Sequence, residues 1–141
     1  MAKSWIEKLN SDNPKHGIIK QCPDMWSNGG KLKTMLIPEP KKIDALVQSI
    51  QFGTVVTIGN LRSKLAKDAG ADMACPMTTG IFLKIVAFAA EEYREMGKDV
   101  TPYWRVVKDG GKLNGKFPDG ITLHADLLES ELSLIHISEP T

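Results

Sequence analysis

The side chains able to do chemistry in this chain are few, and they gather in two short segments. The first is Cys75-Pro76-Met77-Thr78-Thr79-Gly80. A thiol just ahead of a helix can be nucleophilic, because the helix N-terminus favours the thiolate. Against that, no motif histidine accompanies Cys75, and a buried structural cysteine is the competing reading. The amides and hydroxyls of Thr78 and Thr79 suit phosphate contacts at the positive end of the same helix, or an ordinary cap. Met77 offers either an apolar wedge for a minor-groove base step or a core methionine. The second segment is Thr101-Pro102-Tyr103-Trp104-Arg105-Val106-Val107. Tyr103 and Trp104 can form a wall on which an extruded base stacks, worth roughly 1 to 3 kcal/mol per base, or they can pack the core. Arg105 can contact phosphate or anchor its loop. His16 and His124 are lone histidines without metal-ligand spacing. The two cysteines, Cys22 and Cys75, are too far apart in sequence to indicate a disulfide framework or a zinc cluster. No metal and no cofactor is expected.

The elements that must position these groups begin after Pro40. Ile43, Leu46, Val47 and Ile50 stand at i, i+3, i+4 and i+7, which predicts an amphipathic helix, and Phe52-Gly53 ends it. Thr54-Val55-Val56-Thr57 predicts a short strand, after which Thr57 caps a second helix reaching about Asp68. Ile58, Leu61 and Leu65 face inward there, leaving Asn60, Arg62, Lys64 and Lys67 for the other surfaces. Arg62 and Lys64 can flank a DNA backbone or form a solvated face. A third helix from about Thr78 to Met96 carries the stripe Ile81, Phe82, Ile85, Val86 and Ala89, with Pro76 before it and Gly97 behind.

Residues 104 to 107 then have strand character, Lys108-Asp109-Gly110-Gly111 is a turn, and residues 112 to 117 are expected to return as a wing. Residues 121 to 131 predict a final helix with Leu123, Leu127 and Leu128 inward. Three helices in this order, the second and third joined by a short turn, suggest a helix-turn-helix. The fold expected is mainly α with a small β wing, a winged helix-turn-helix over residues 43 to 131. Residues 1 to 42 read as a leader with little regular structure, punctuated at Asn13-Pro14, Cys22-Pro23, Asn28-Gly29-Gly30 and Pro38-Glu39-Pro40. Within it a short helix over residues 4 to 9 and an edge strand over residues 33 to 37 are expected.

With 141 residues, 42% of them hydrophobic and 25% charged, the chain has the composition of an ordinary soluble domain. It has no apolar run near the roughly 20 residues that span a bilayer, and no signal-peptide core follows Met1. A cytoplasmic monomer without membrane contact is expected. The net charge of +1 is unevenly divided. Residues 1 to 42 hold eight lysines against four acids, whereas residues 43 to 131 hold ten basic and twelve acidic side chains. The acidic excess is local, at Glu91, Glu92, Glu95 and Asp99, which leaves room for a basic face elsewhere.

Three blocks in residues 43 to 131 resemble the DNA-binding domain of the alkylguanine-DNA alkyltransferase and alkyltransferase-like family. Phe52-Gly53-Thr54-Val55-Val56-Thr57-Ile58-Gly59-Asn60-Leu61 is similar to the family's Pro-Tyr-Gly-Lys-Val-x-Thr-Tyr-Gly-x-Leu/Ile run. Pro102-Tyr103-Trp104-Arg105-Val106-Val107, continued by Gly110-Gly111, is similar to its Pro-Cys-His-Arg-Val segment. Pro118-Asp119-Gly120 with Leu127-Leu128-Glu129-Ser130-Glu131 is similar to its closing Gly-Gly and Leu-Leu-x-x-Glu-Gly.

The departures are as informative. Tyr103 stands at the alkyl-accepting cysteine and Trp104 at the histidine, and a phenol of pKa about 10 beside an indole that only donates cannot repeat that transfer. Ile58 stands at the tyrosine, and Met77 near the arginine, that assist base extrusion, a step costing a few kcal/mol. The Asn-Pro hinge before the active-site loop is missing. The resemblance therefore implies a non-catalytic protein that binds double-stranded DNA through the minor groove. It implies recognition of alkylated or distorted bases and their transfer to DNA repair proteins. Thr57, Asn60, Arg62, Lys64, Met77, Thr78, Thr79 and Arg105 are the expected DNA contacts, and Tyr103 and Trp104 the expected base pocket. Two other readings stand beside it: alkyl transfer onto Cys75, and a winged-helix module turned to protein binding. Residues 132 to 141, Leu-Ser-Leu-Ile-His-Ile-Ser-Glu-Pro-Thr, match the translation of a sequencing adaptor and are expected to be foreign to the natural protein.

Overall fold

A computed structural model describes residues 4 to 11 and 13 to 138, with side chains to Glu131. It is a mixed α/β structure, about half of it helical. In chain order the elements are α1 (Trp5–Asn10), β1 (Ile19–Gln21), β2 (Thr34–Leu36), α2 (Pro40–Gln48), β3 (Val56–Thr57), α3 (Ile58–Ala69), β4 (Met73–Ala74), α4 (Pro76–Glu95), β5 (Val106–Val107) and α5 (Gly120–Ser138). Short 3-10 turns at Asp24–Trp26 and Tyr103–Arg105 complete it.

Local chemistry sets the helix ends. Pro40 opens α2 and Pro76 opens α4, each at a first-turn position where an amide hydrogen has no helical partner. α3 starts on a capping box: the Thr57 side chain accepts from the Asn60 amide at 3.1 Å, while Asn60 Oδ1 accepts from the Thr57 amide at 3.4 Å. It ends at Gly70, whose φ of 77° is the left-handed cap that glycine adopts without strain. Ile43 and Val47 of α2, Leu61 and Leu65 of α3, and Leu83, Val86, Ala87 and Ala90 of α4 meet in one core. α4 is the central helix. α1 packs on it through Trp5, whose ring stacks on Phe88 at 4.7 Å, and α2 and the Tyr103–Arg105 turn also pack against it.

Residues 4 to 42 depart from the expected leader. The short helix and the strand expected within them are present as α1 and β2, but β1 is added, and the segment is joined to the rest by packing and by pairing. Leu9 and Leu36 are buried in the common core. β2 is the middle strand of a sheet ordered β1-β2-β4, where an edge strand was expected. It pairs antiparallel with β1 (Ile19↔Leu36) and parallel with β4 (Met35↔Met73, Leu36↔Ala74). The turn between α3 and α4 thus contains a strand, and the fastening is reinforced by Asp72. Its carboxylate accepts from the Lys33 and Thr34 amides at 2.8 and 3.1 Å, bonds that hold it below the usual carboxylate range.

The wing also differs. β5 pairs parallel with β3 (Val56↔Val106, Thr57↔Val107), and no strand forms over residues 112 to 117. That segment is instead pulled inward by Phe117, which is buried with its ring edge-on to Tyr103 at 5.2 Å. α5 continues its helical backbone through residue 138, into the segment expected to be foreign. Residues 139 to 141 lie outside the described residues. Of the final helix's predicted inward leucines, Leu123, Leu127 and Leu128 are half-buried, and His124 is the residue that is fully enclosed.

Because β2 is part of the common core, Leu36→Ala should destabilise the whole chain by about 2 to 5 kcal/mol. Denaturant unfolding followed by far-UV circular dichroism and by tryptophan fluorescence checks this. Both probes should shift together; an unchanged midpoint would place β2 outside the core.

Candidate nucleic-acid interface

The segment from Tyr103 to Val107 is closed. Tyr103 is fully buried, flanked edge-on by Trp104 at 5.3 Å and by Phe117 at 5.2 Å. A buried hydroxyl needs a partner, and Tyr103 donates to Glu91 Oε2 on α4 at 2.7 Å. Arg94 approaches the same carboxylate through two nitrogens, at 2.8 and 3.2 Å, one turn further along α4. Burial, followed by the bond to Glu91, pushes the Tyr103 phenol far above its ordinary value, so it stays a neutral donor.

Trp104 is half-buried and donates its indole N–H to Glu131 at 2.8 Å. Arg105 is spent as an anchor: Nε and Nη2 donate to Glu131 Oε1 at 3.0 and 2.7 Å, and Nη1 donates to the Ile50 carbonyl at 2.7 Å. The open base pocket expected of Tyr103 and Trp104 is therefore replaced by packed core, and Arg105 is a loop clamp instead of a phosphate contact. Both corrections have one cause, the carboxylates Glu91 and Glu131, which arrive from distant helices.

His124 locks the same segment from behind. The Asn114 amide donates to Nδ1 at 3.1 Å, which puts the ring proton on Nε2, facing the Trp104 carbonyl at 2.8 Å. Burial pulls its pKa below the ordinary value, and the Trp104 carbonyl works weakly in the other direction. The sequence did contain a signal for this role. His124 adjoins the stripe of Leu123, Leu127 and Leu128, where a histidine must be enclosed and paired.

At the start of α4 the predicted contacts divide. Thr79 is fully buried, and its hydroxyl donates back to the Cys75 carbonyl at 2.7 Å, so it faces inward and cannot reach a ligand. Thr78 is half-buried and donates its hydroxyl to Cys75 Sγ at 3.1 Å, with its amide at 3.5 Å from the same sulfur. Cys75 is buried beside Met35 and Cys22 and serves as the helix cap. Met77 is 65% exposed, one turn from Ile81 at 56%.

The open surface follows α3. Thr57, Asn60 and Arg62 line one groove of about 670 Å³, together with Gly59, Ser63 and Lys67. Ala66, Ala71 and Asp72 also line it. Lys64 lies on a neighbouring groove of about 370 Å³ and pairs with Asp68 at 3.0 Å, a contact between exposed groups that contributes little. Met77 lines neither groove.

Asp109 also shapes this surface. Its carboxylate accepts from the Gly59 amide at 2.8 Å, and a Cβ at Gly59 would stand 2.7 Å from the same oxygen, so a larger residue there would push the Asp109 side chain aside. Arg62 lies 3.8 Å from its other oxygen. A protein carboxylate thus already occupies the positive end of α3. Phosphate contacts on this helix must come from side chains along its length.

His124 gives the segment a pH dependence of known sign. Its folded pKa is depressed, so its neutral form adds nothing differential above about 6.5, the unfolded value. Stability is lost as pH falls below that point, because the unfolded chain takes up the proton first. Thermal melts between pH 7.5 and 5 should show this decline. His124→Phe should flatten it while lowering stability at pH 7.5, since the Asn114 N–H and the Trp104 carbonyl each lose a partner at about 1 to 3 kcal/mol. Among the described residues no group of three metal-ligating side chains occurs, and no helix is long and apolar enough to cross a membrane. Compared with family models, curated proteins and solved structures, the chain matches none.

Proposed function

We propose that the protein is a non-catalytic, alkyltransferase-like DNA-binding protein of the helix-turn-helix type, in which α3, β4 and α4 form the reading unit. The observation that carries this reading is the groove along α3, lined by Arg62 and Lys67 together with the small residues Gly59, Ser63, Ala66 and Ala71. Lys64 adds a third cation on the adjoining face. The sealed Tyr103 segment supports the absence of group transfer, since a neutral phenol bonded to Glu91 is no nucleophile. It also shifts the expected mode of recognition. With no open pocket at Tyr103, the duplex is read from outside, by its backbone and groove shape, with Met77 as the exposed apolar side chain next to it. The family resemblance supplies the context, detection of alkylated or distorted DNA on behalf of repair proteins.

Duplex binding measured across salt concentrations tests the reading. Three phosphate contacts from Arg62, Lys64 and Lys67 predict that log K falls with log salt at a slope of about −2.7. No duplex binding at low salt, with or without O6-alkylguanine, would overturn it. Intact mass after incubation with alkylated DNA should be unchanged. A stable gain of one alkyl group would show transfer instead, with Cys75 the first residue to test.

One observation favours a second reading, a protein-binding module. Met77 and Ile81 form an exposed apolar pair one turn apart on α4, and nothing lies within 4 Å of a Cβ built on the intervening Gly80. A defined protein complex that survives nuclease treatment, from a chain without intrinsic DNA affinity, would support this reading over the first.

A further inference from the structure

We propose that the hairpin formed by β1 and β2 is a second DNA-contacting arm, and that Lys31 and Lys33 on it grip the phosphate backbone of the strand that α3 holds from the other side. This rests on the duplex-binding reading and extends it to a part of the chain outside the three blocks that resemble the alkyltransferases.

Position comes first. Leu32 lines the same groove as Arg62 and Lys67, which places the hairpin on the wall facing α3. Lys31 and Lys33 flank Leu32 in sequence and are both exposed. The α3 side of the groove thus carries Arg62 and Lys67, and the hairpin side brings Leu32 to the groove with an exposed lysine before and after it in the chain. Its volume of about 670 Å³ suits a stretch of a single sugar-phosphate strand lying along it.

The arm is also built to hold its place. Asp72, in the turn after α3, binds the amides of Lys33 and Thr34, and its own amide donates to Thr34 Oγ1 at 2.9 Å. The hairpin base is thereby fastened to the helix that forms the opposite rim. Further out, Trp26 and Leu32 pack on Cys22, Met35 and Cys75, a small apolar cluster separate from the main core. Ser27 then orders the tip. Its hydroxyl accepts from the Gly30 amide at 3.0 Å and donates to the Asp24 carbonyl at 2.9 Å, while its carbonyl accepts from the Leu32 amide at 2.8 Å. Asn28, Gly29 and Gly30 all have positive φ, and a Cβ built on either glycine would meet nothing within 4 Å. The tip is therefore an ordered turn that projects clear of the molecule.

Charge favours a polyanion as the occupant. Lys20, Lys31 and Lys33 stand against Asp24 on the hairpin, and Arg62, Lys64 and Lys67 against Asp68 on α3. One carboxylate, Asp72, lines the groove itself, where it accepts from the Lys33 and Thr34 amides, and Asp109 accepts from the Gly59 amide at its edge, so the lysines and arginine outnumber the acids there. An acidic protein surface would meet the same charges but would not reproduce the salt slope of a condensed counterion atmosphere.

The test compares the wild-type chain with Lys31→Ala/Lys33→Ala, and with a control, Lys15→Ala/Lys98→Ala, that removes two charges from outside the groove. Thermal melts confirm that all three fold alike, as expected for exposed side chains. Binding to one undamaged duplex is then measured between 50 and 200 mM salt. With two hairpin contacts added to the three from α3, the wild-type slope becomes about −4.5 and the hairpin variant should return to about −2.7, so that the wild-type advantage shrinks about tenfold across that range. The control should keep the wild-type slope. Equal slopes for wild type and hairpin variant would overturn the hairpin arm while leaving duplex binding by α3 standing. Absence of wild-type binding at 50 mM would overturn both.

Discussion

The phenol of Tyr103 has to be satisfied in a place water does not reach, and much of the architecture follows from how that is done. Its partner Glu91 belongs to α4, so the hydrogen bond fixes the Tyr103–Arg105 turn against one particular level of that helix. Glu91 is itself a charge near the core, and Arg94 neutralises it from the next turn. The neighbouring residues repeat the pattern, with Trp104 and Arg105 both bonded to Glu131 on α5 and the Trp104 carbonyl bonded to His124. The turn is thus pinned by hydrogen bonds to two helices, and removing one acceptor would leave a buried donor uncompensated. A segment under that many constraints is a structural joint. The groove proposed to bind lies elsewhere, along α3.

This division explains why the α3 surface carries the proposed binding. α4 is packed by α1, α2 and the Tyr103 turn along much of its length, and its exposed large apolar side chains, Met77 and Ile81, lie in its first turns. α3 buries one stripe, Leu61, Leu65 and Ala66, and leaves the remainder to solvent. Its amino end is capped by Thr57 and Asn60 and covered by Asp109, so what it presents to a polyanion is a row of side chains.

Helices with a clean apolar period were legible in the sequence, because burial on one face leaves a mark every three or four residues. Ile43 and Val47 in α2, Leu61 and Leu65 in α3, and the Thr57 cap were found in this way. The strands were harder to read. β3, β4 and β5 are two residues each, too short to show alternation, and their pairing is parallel, which no local turn announces. The leader was misread for the same reason: β1 is exposed along its length and β2 becomes central only through contact with β4, far along the chain. At the site, residue type alone could not separate a base pocket from a core. Tyr103 and Trp104 suit either, and the deciding partners, Glu91 and Glu131, lie 12 and 27 residues away. Arg105 and Thr79 were assigned to DNA on the strength of their donors, and both donors are consumed within the protein.

The parallel pairing of β3 with β5 has a consequence for the order in which the molecule is assembled. Parallel neighbours cannot be joined by a tight turn, and here all of α3, β4 and α4 lies between them. The chain must close that long loop before two short strands return any free energy, and four residues return little. β3 and β5 are therefore a closing clasp, formed once α3 has settled on α4 and brought Val56 to Val106. During synthesis the same logic holds β3 unpaired until residue 107 has emerged, with Phe52 and Val55 beside it exposed even in the finished fold. The position of Thr57, at the amino end of α3, is fixed on the strand side only when this clasp has closed.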